Sequence, residues 1–164
     1  MKCPAPDRAF ETFIKINPGD DCLQVLGQKV KPLIEELTLT KKIGWYCFLV
    51  HDRNSGVPTA PDDDSSYWHL RLELAPQIEP EALASSLPSY CLMTRKIFFG
   101  DEIGGIDKNL LKNGNVMDAW RILGEQSEWM LRMLDIHTGE GLPLRRQVAQ
   151  FLHYFANMAQ MHVK

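Results

Sequence analysis

The stretch Tyr67-Trp68-His69-Leu70-Arg71-Leu72-Glu73-Leu74 alternates polar and apolar residues without a break. A strand turns successive side chains to opposite faces. Tyr67, His69, Arg71 and Glu73 therefore fall in one row, and Trp68, Leu70, Leu72 and Leu74 in the other. A histidine beside an arginine and a glutamate has the groups needed for acid–base work or for clamping an anion. His69 is the candidate acid or base. Arg71 is the candidate holder of a carboxylate or a developing negative charge, with Glu73 or Glu102 orienting the pair. Tyr67 can donate a hydrogen bond, and Trp45 and His51, from the preceding strand, complete a candidate substrate-binding set. The competing reading is a half-exposed strand whose polar side faces water, with Arg71 and Glu73 paired to neighbours.

Other motifs are weaker. Asp62-Asp63-Asp64 could attract a divalent cation, but the spacing fits no calcium loop, and a hydrated acidic loop is the plainer account. Gly100-Asp101-Glu102-Ile103-Gly104-Gly105 lacks the Lys-Ser/Thr of a phosphate loop and the spacing of a dinucleotide turn, so it reads as a strand-to-helix turn. His137, His153 and His162 have no metal spacing, and Met158 and Met161 with Phe151 and Phe155 read as core or interface. No nucleophile elbow or Cys/His pair is present. Neither a metal nor a cofactor is expected.

The elements that must position this row follow from periodicity and turn residues. Ala9 to Ile16 reads as a first strand, ended by Asn17-Pro18-Gly19-Asp20. Asp20 or Asp21 can cap the helix that follows, whose stripe is Leu23, Leu26, Val30, Leu33 and Leu37. Pro32 interrupts that stripe, so one helix bent near Lys31 is expected. Ile43 to Val50 is apolar on both alternating faces, as in a central strand covered on both sides. His51 to Ser66 reads as a long polar loop. After the Tyr67–Leu74 strand come a short helix from Glu79 to Leu87 and a fourth strand within Ser89 to Phe99. This β-α-β-β-α-β order predicts an α+β fold with a ferredoxin-like sheet over 1–99, and 100–164 is a helical extension within one domain. In that extension Val116, Trp120, Leu123, Met130 and Leu134 mark one helix, with Ser127 the small polar place in its stripe. Leu144, Val148, Phe151, Phe155 and Met158 mark another.

Composition bounds the rest. The 164 residues are 45% hydrophobic and 24% charged, with 18 basic and 21 acidic side chains and a net charge of −3. That length suits one domain with a real core. A mildly acidic chain without a basic run argues against nucleic acid as a partner. No apolar run reaches membrane-spanning length, and the start lacks the apolar core of a signal peptide. The expectation is a cytoplasmic protein, with no membrane partner and with Cys3, Cys22, Cys47 and Cys91 as free thiols.

Gly44-Trp45-Tyr46-Cys47-Phe48-Leu49-Val50-His51-Asp52, a polar loop, and then Trp68-His69-Leu70-Arg71-Leu72-Glu73 carry a resemblance. The stretch resembles the C-terminal elimination domain of lanthipeptide dehydratases and related stand-alone proteins of thiopeptide biosynthesis. Their pattern is an aromatic-rich strand, a loop, and His-Leu-Arg-Leu-Arg. Glu102-Ile103-Gly104-Gly105 is similar to the acidic residue and Gly-Gly found further along the family's chain. Met117-Asp118-Ala119 and Gln126-Ser127-Glu128 loosely echo its helical elements. Glu73 stands where the family carries a second Arg, and Val50-His51 where it carries Arg-Tyr. The resemblance implies a natural-product enzyme or subunit, a lyase acting on a glutamylated Ser or Thr of a peptide, with His69 and Arg71 at the site. The alternative is a non-catalytic ferredoxin-like module that binds a small ligand or a protein partner, possible as a homodimer or in a larger complex.

Overall fold

The computed structural model describes residues 3–51, 66–98, 102–103, 106–107 and 116–136. The readings of Asp62-Asp63-Asp64, of the helix from Leu144 to Met158, and of His137, His153 and His162 lie outside the described residues.

A 3-10 turn, Pro6–Arg8, leads into β1, Ala9–Ile16. Asn17 accepts the N–H of Asp20 at 2.9 Å to close the turn after it, and Gly19 takes the left-handed φ of +89° there, which costs glycine little. Asp21 caps the next helix by accepting from the N–H of Leu23 at 3.1 Å. That helix runs as α1, Cys22–Val25, a π turn over Leu26–Val30, and α2, Lys31–Leu39. Proline lacks an N–H and its ring crowds the carbonyl four residues back. The chain makes room by widening the turn before Pro32, where Lys31 N–H reaches Leu26 O. The stripe of Leu23, Leu26, Val30, Leu33 and Leu37 stays buried throughout, so one continuous helical run forms across Pro32, with a π turn just before it.

β2, Ile43–His51, and β3, Ser66–Leu74, follow, then α3, Pro80–Ser86, and β4, Cys91–Ile97. The four strands form one antiparallel sheet in the order β2-β3-β1-β4, so the protein is α+β. β2 is thus an edge strand, not the central strand that its two apolar faces suggested. Glu102–Ile103 (β5) and Ile106–Asp107 (β6) pair as a short antiparallel ladder where a strand-to-helix turn was expected. Helix α4 covers Val116–Ile136, as its stripe predicted.

Helices lie on both faces of the sheet. On one, Trp68 Nε1 donates to the carbonyl of Cys22 in α1 at 2.9 Å, and Phe48 packs edge-on against Trp68. On the other, Trp120 of α4 meets Trp45 and Arg71. α4 also closes the open edge of β2. Phe48 N–H donates to Ser127 Oγ at 3.1 Å, and Ser127 Oγ donates in turn to Leu123 O at 2.9 Å. Trp45, Trp68 and Trp120 are fully buried in the contiguous core. Side chains of this size each contribute upward of about 2 kcal/mol by leaving water. Among the described residues no helix is long and apolar enough to cross a membrane.

Candidate functional site

The polar row of β3 does not face water. His69 and Arg71 are each 1% exposed, Tyr67 is equally buried, and Glu73 is 6% exposed. This rules out the half-exposed strand, and it raises the question of what satisfies a buried imidazole and a buried guanidinium.

The answer comes from β1 and β4. In register, Glu11 of β1 stands opposite Arg71, and Phe13 opposite His69. On its other side Glu11 stands opposite Arg95 of β4. Cross-strand neighbours on one face are in side-chain contact. Glu11, only 2% exposed, therefore becomes the centre of a cluster. Its Oε2 lies 2.7 Å from His69 Nε2 and 3.4 Å from Arg71 Nε, and its Oε1 accepts from Arg95 Nε at 2.7 Å. Phe13 stacks on the imidazole with ring centres 4.3 Å apart and planes 12° apart, and meets Tyr67 edge-on. Over Arg71, Trp120 places its ring centre 4.9 Å from Cζ, a cation–π arrangement. Trp45 meets the same Trp120 edge-on at 6.2 Å.

Ionisation follows from these contacts. Burial by itself would raise the Glu11 carboxyl. The hydrogen bond from His69, the charges of His69 and Arg71, and the bond from Arg95 outweigh burial and hold it at about 2. Burial is the largest influence on His69 as well, and with the cations Arg71 and Arg95 it overrides the pull of Glu11, leaving the imidazole at about 4. At neutral pH the cluster is a carboxylate, a neutral imidazole and two guanidinium ions. This fixes the tautomer. Arg71 Nε lies 3.2 Å from His69 Nε2, but one nitrogen cannot both donate to Glu11 and accept from Arg71. Beside an ionised carboxylate the single ring proton sits on Nε2, directed at Oε2, and Arg71 pairs with the same oxygen as its counter-ion at 3.4 Å. The basic lone pair of His69 is then on Nδ1. Cys47, opposite Arg71 in β2, is pushed up to about 12 by burial and stays a thiol.

The remaining candidates are spread out. Glu73 lies at the far end of the row, where its Oε2 accepts the N–H of Ala5 at 2.6 Å. Trp45 is its partner in β2 across the ladder, and His51 is the partner of Tyr67. The side chains of His51 and Glu102 lie outside the described residues. Among the described residues no group of three or more His, Cys, Asp or Glu side chains could hold a metal ion.

The sequence reading missed Glu11 and Arg95. Glu11 left one signal, as the lone charged residue in the mostly apolar run Ala9 to Ile14. Arg95 left none, because an irregularity in β4 determines the face it occupies.

No protein-family model matches the chain, and no curated protein matches it. A solved structure, that of TsrL, aligns with 15% identity and a TM-score of 0.49, covering 86% of this chain and 38% of TsrL. The chain thus spans well under half of TsrL's length. A likeness at that level assigns no residue and no activity.

Proposed function

We propose that the chain is a peptide-modifying enzyme or enzyme subunit, similar to the elimination or cyclisation domains of lanthipeptide and thiopeptide biosynthesis, in which His69 takes up a proton and Arg71 holds negative charge. The fold we assign is a ferredoxin-like sheet, which the neighbouring positions of β1 and β3 support.

The observation that carries the reading is the 2.7 Å contact between Glu11 and His69 inside a buried face flanked by two arginines. A carboxylate held against a buried imidazole orients the ring for acid–base work. Burying the Arg71 guanidinium and the Glu11 carboxylate is costly, and well-packed apolar residues often stabilise as much or more, so the cluster is better explained by chemistry than by stability. In an elimination, the imidazole of His69 would take the Cα proton of an acylated Ser or Thr. The electrons form Cα=Cβ, and the acyl carboxylate leaves Cβ beside Arg71. Glu11 takes the orienting role first sought in Glu73 or Glu102, and Tyr67, Trp45 and His51 remain the candidates for holding the peptide.

Exposure supports a second reading. With His69 and Arg71 each 1% exposed and Trp120 over the guanidinium, the cluster would be the polar core of a non-catalytic binding module.

A peptide carrying an O-glutamylated serine distinguishes the two readings. Mass spectrometry is expected to show glutamate release and a dehydroalanine with the wild type, and a rate lower by about 10²-fold or more with His69→Ala. A folded His69→Ala protein that turns over at the wild-type rate, or a wild type that releases no glutamate, overturns the elimination reading.

A further inference from the structure

β4 reaches the cluster by an irregular path. Glu11 pairs with Arg95 and Phe13 with Leu92, so two residues of β4, Met93 and Thr94, stand against the single Thr12 of β1. Met93 takes a left-handed φ of 50°, and Thr12 Oγ1 donates to Leu92 O at 3.1 Å. This is a β-bulge, which inserts one residue and re-aims the side chains beyond it. Because side chains alternate with a period of two, a one-residue shift moves every later side chain to the opposite face. In a regular β4 with Leu92 opposite Phe13, Thr94 would stand opposite Glu11 and Arg95 would point to the α1 side. The bulge puts Arg95 on the face of His69.

We propose that Arg95 is the positioning residue of His69: by occupying Oε1 of Glu11 it leaves Oε2 as the oxygen that holds the imidazole. The inference rests on the reading of His69 as the working group. Glu11 has two oxygens and three claimants. Without Arg95, the carboxylate turns so that both oxygens face Arg71, whose fork matches a carboxylate bidentately, and the His69 bond is lost or shared. Arg95 suits the task because it is anchored at Nε while its side chain is 45% exposed, so its charge keeps part of its hydration. The charged groups acting on His69 are Glu11 on β1, Arg71 on β3 and Arg95 on β4. β2 presents Cys47 and Leu49 along the row, and α4 presents Trp120, all neutral.

Long-range ¹H–¹⁵N spectra of the intact protein test this, with the His69 signals among the five histidines assigned by their loss in His69→Gln. The wild type is expected to show the Nε2-protonated tautomer at pH 7. Arg95→Ala is expected to mix the tautomers, because Oε2 of Glu11 is no longer reserved for the imidazole. Arg95→Lys, which again offers a cation to Oε1, is expected to restore most of the Nε2 tautomer. A folded Arg95→Ala protein with wild-type His69 shifts overturns the inference. These spectra do not depend on turnover, so that result leaves the elimination reading to be decided by the glutamate-release assay.

Discussion

Glu11 and Glu73 are two buried carboxylates on the same sheet face, in different electrostatic settings. Glu11 faces a buried imidazole and two guanidinium ions. Glu73 accepts the N–H of Ala5 near the sheet's end. Replacing Glu11 with Gln keeps the shape but leaves Arg71 charged in the interior without its counter-ion. Breaking a buried pair in this way costs about 3–5 kcal/mol, a large share of the roughly 5–15 kcal/mol that holds a domain together. Glu73→Gln keeps an acceptor for the Ala5 N–H, so its expected cost is about 1 kcal/mol. Urea denaturation at neutral pH ranks the two. A Glu11→Gln loss of no more than about 1 kcal/mol would mean that Glu11 is not the counter-ion that holds the charge cluster together.

At the scale of elements, α4 does two jobs along one helix. Trp120 covers Arg71, and two turns later Ser127 accepts the outward N–H of Phe48 on β2. An open sheet edge needs such a cover, and the small hydroxyl lets the helix come close enough to supply it. Ser127→Ala leaves a buried N–H unsatisfied, at an expected cost of about 1–3 kcal/mol. Amide exchange should accelerate at Phe48 more than at its β2 neighbours, and unchanged protection there would show that Ser127 does not cover the edge. The helix α4 and the place of Ser127 in its stripe were legible, because both follow from helical spacing. β1 was legible to its ends, because Asn17-Pro18-Gly19-Asp20 marks where it stops. The edge position of β2 was not. An apolar strand reads the same whether its second cover is a helix or its flank is another strand. The cluster was half legible: His69 and Arg71 lie two residues apart on one strand, whereas Glu11 lies 58 residues from His69 along the chain and Arg95 lies 84 residues from Glu11, joining the cluster only through the bulge at Met93.

For the molecule as a whole, the buried titratable groups set a pH window. His69 has its ordinary value near 6.5 in the unfolded chain and about 4 in the fold. Between these values the unfolded chain takes up a proton that the folded one refuses, so stability falls as pH drops. Glu11 continues the loss, with an ordinary value near 4.5 against about 2 in the fold. Each displacement corresponds to roughly 3 kcal/mol when fully lost. On the alkaline side, burial raises Cys47 and Tyr46 to about 12 and Cys91 to about 11. The unfolded chain therefore loses those protons first, and stability declines as pH rises past 9, the ordinary thiol value. Stability should be highest between about 6.5 and 9, with a two-step acid limb below. His69→Gln separates the steps, since its amide can still donate to Glu11 but does not titrate. Denaturant midpoints for this variant and the wild type should run parallel above pH 7. Between pH 6.5 and 4.5 the wild type should fall more steeply, and the slopes should become similar below that, where Glu11 dominates in both. The other four histidines are common to both proteins, so they cancel in the difference. Parallel curves through the 6.5 to 4.5 interval would mean that the imidazole is not held neutral in the fold, and the role of base assigned to His69 would fall with it.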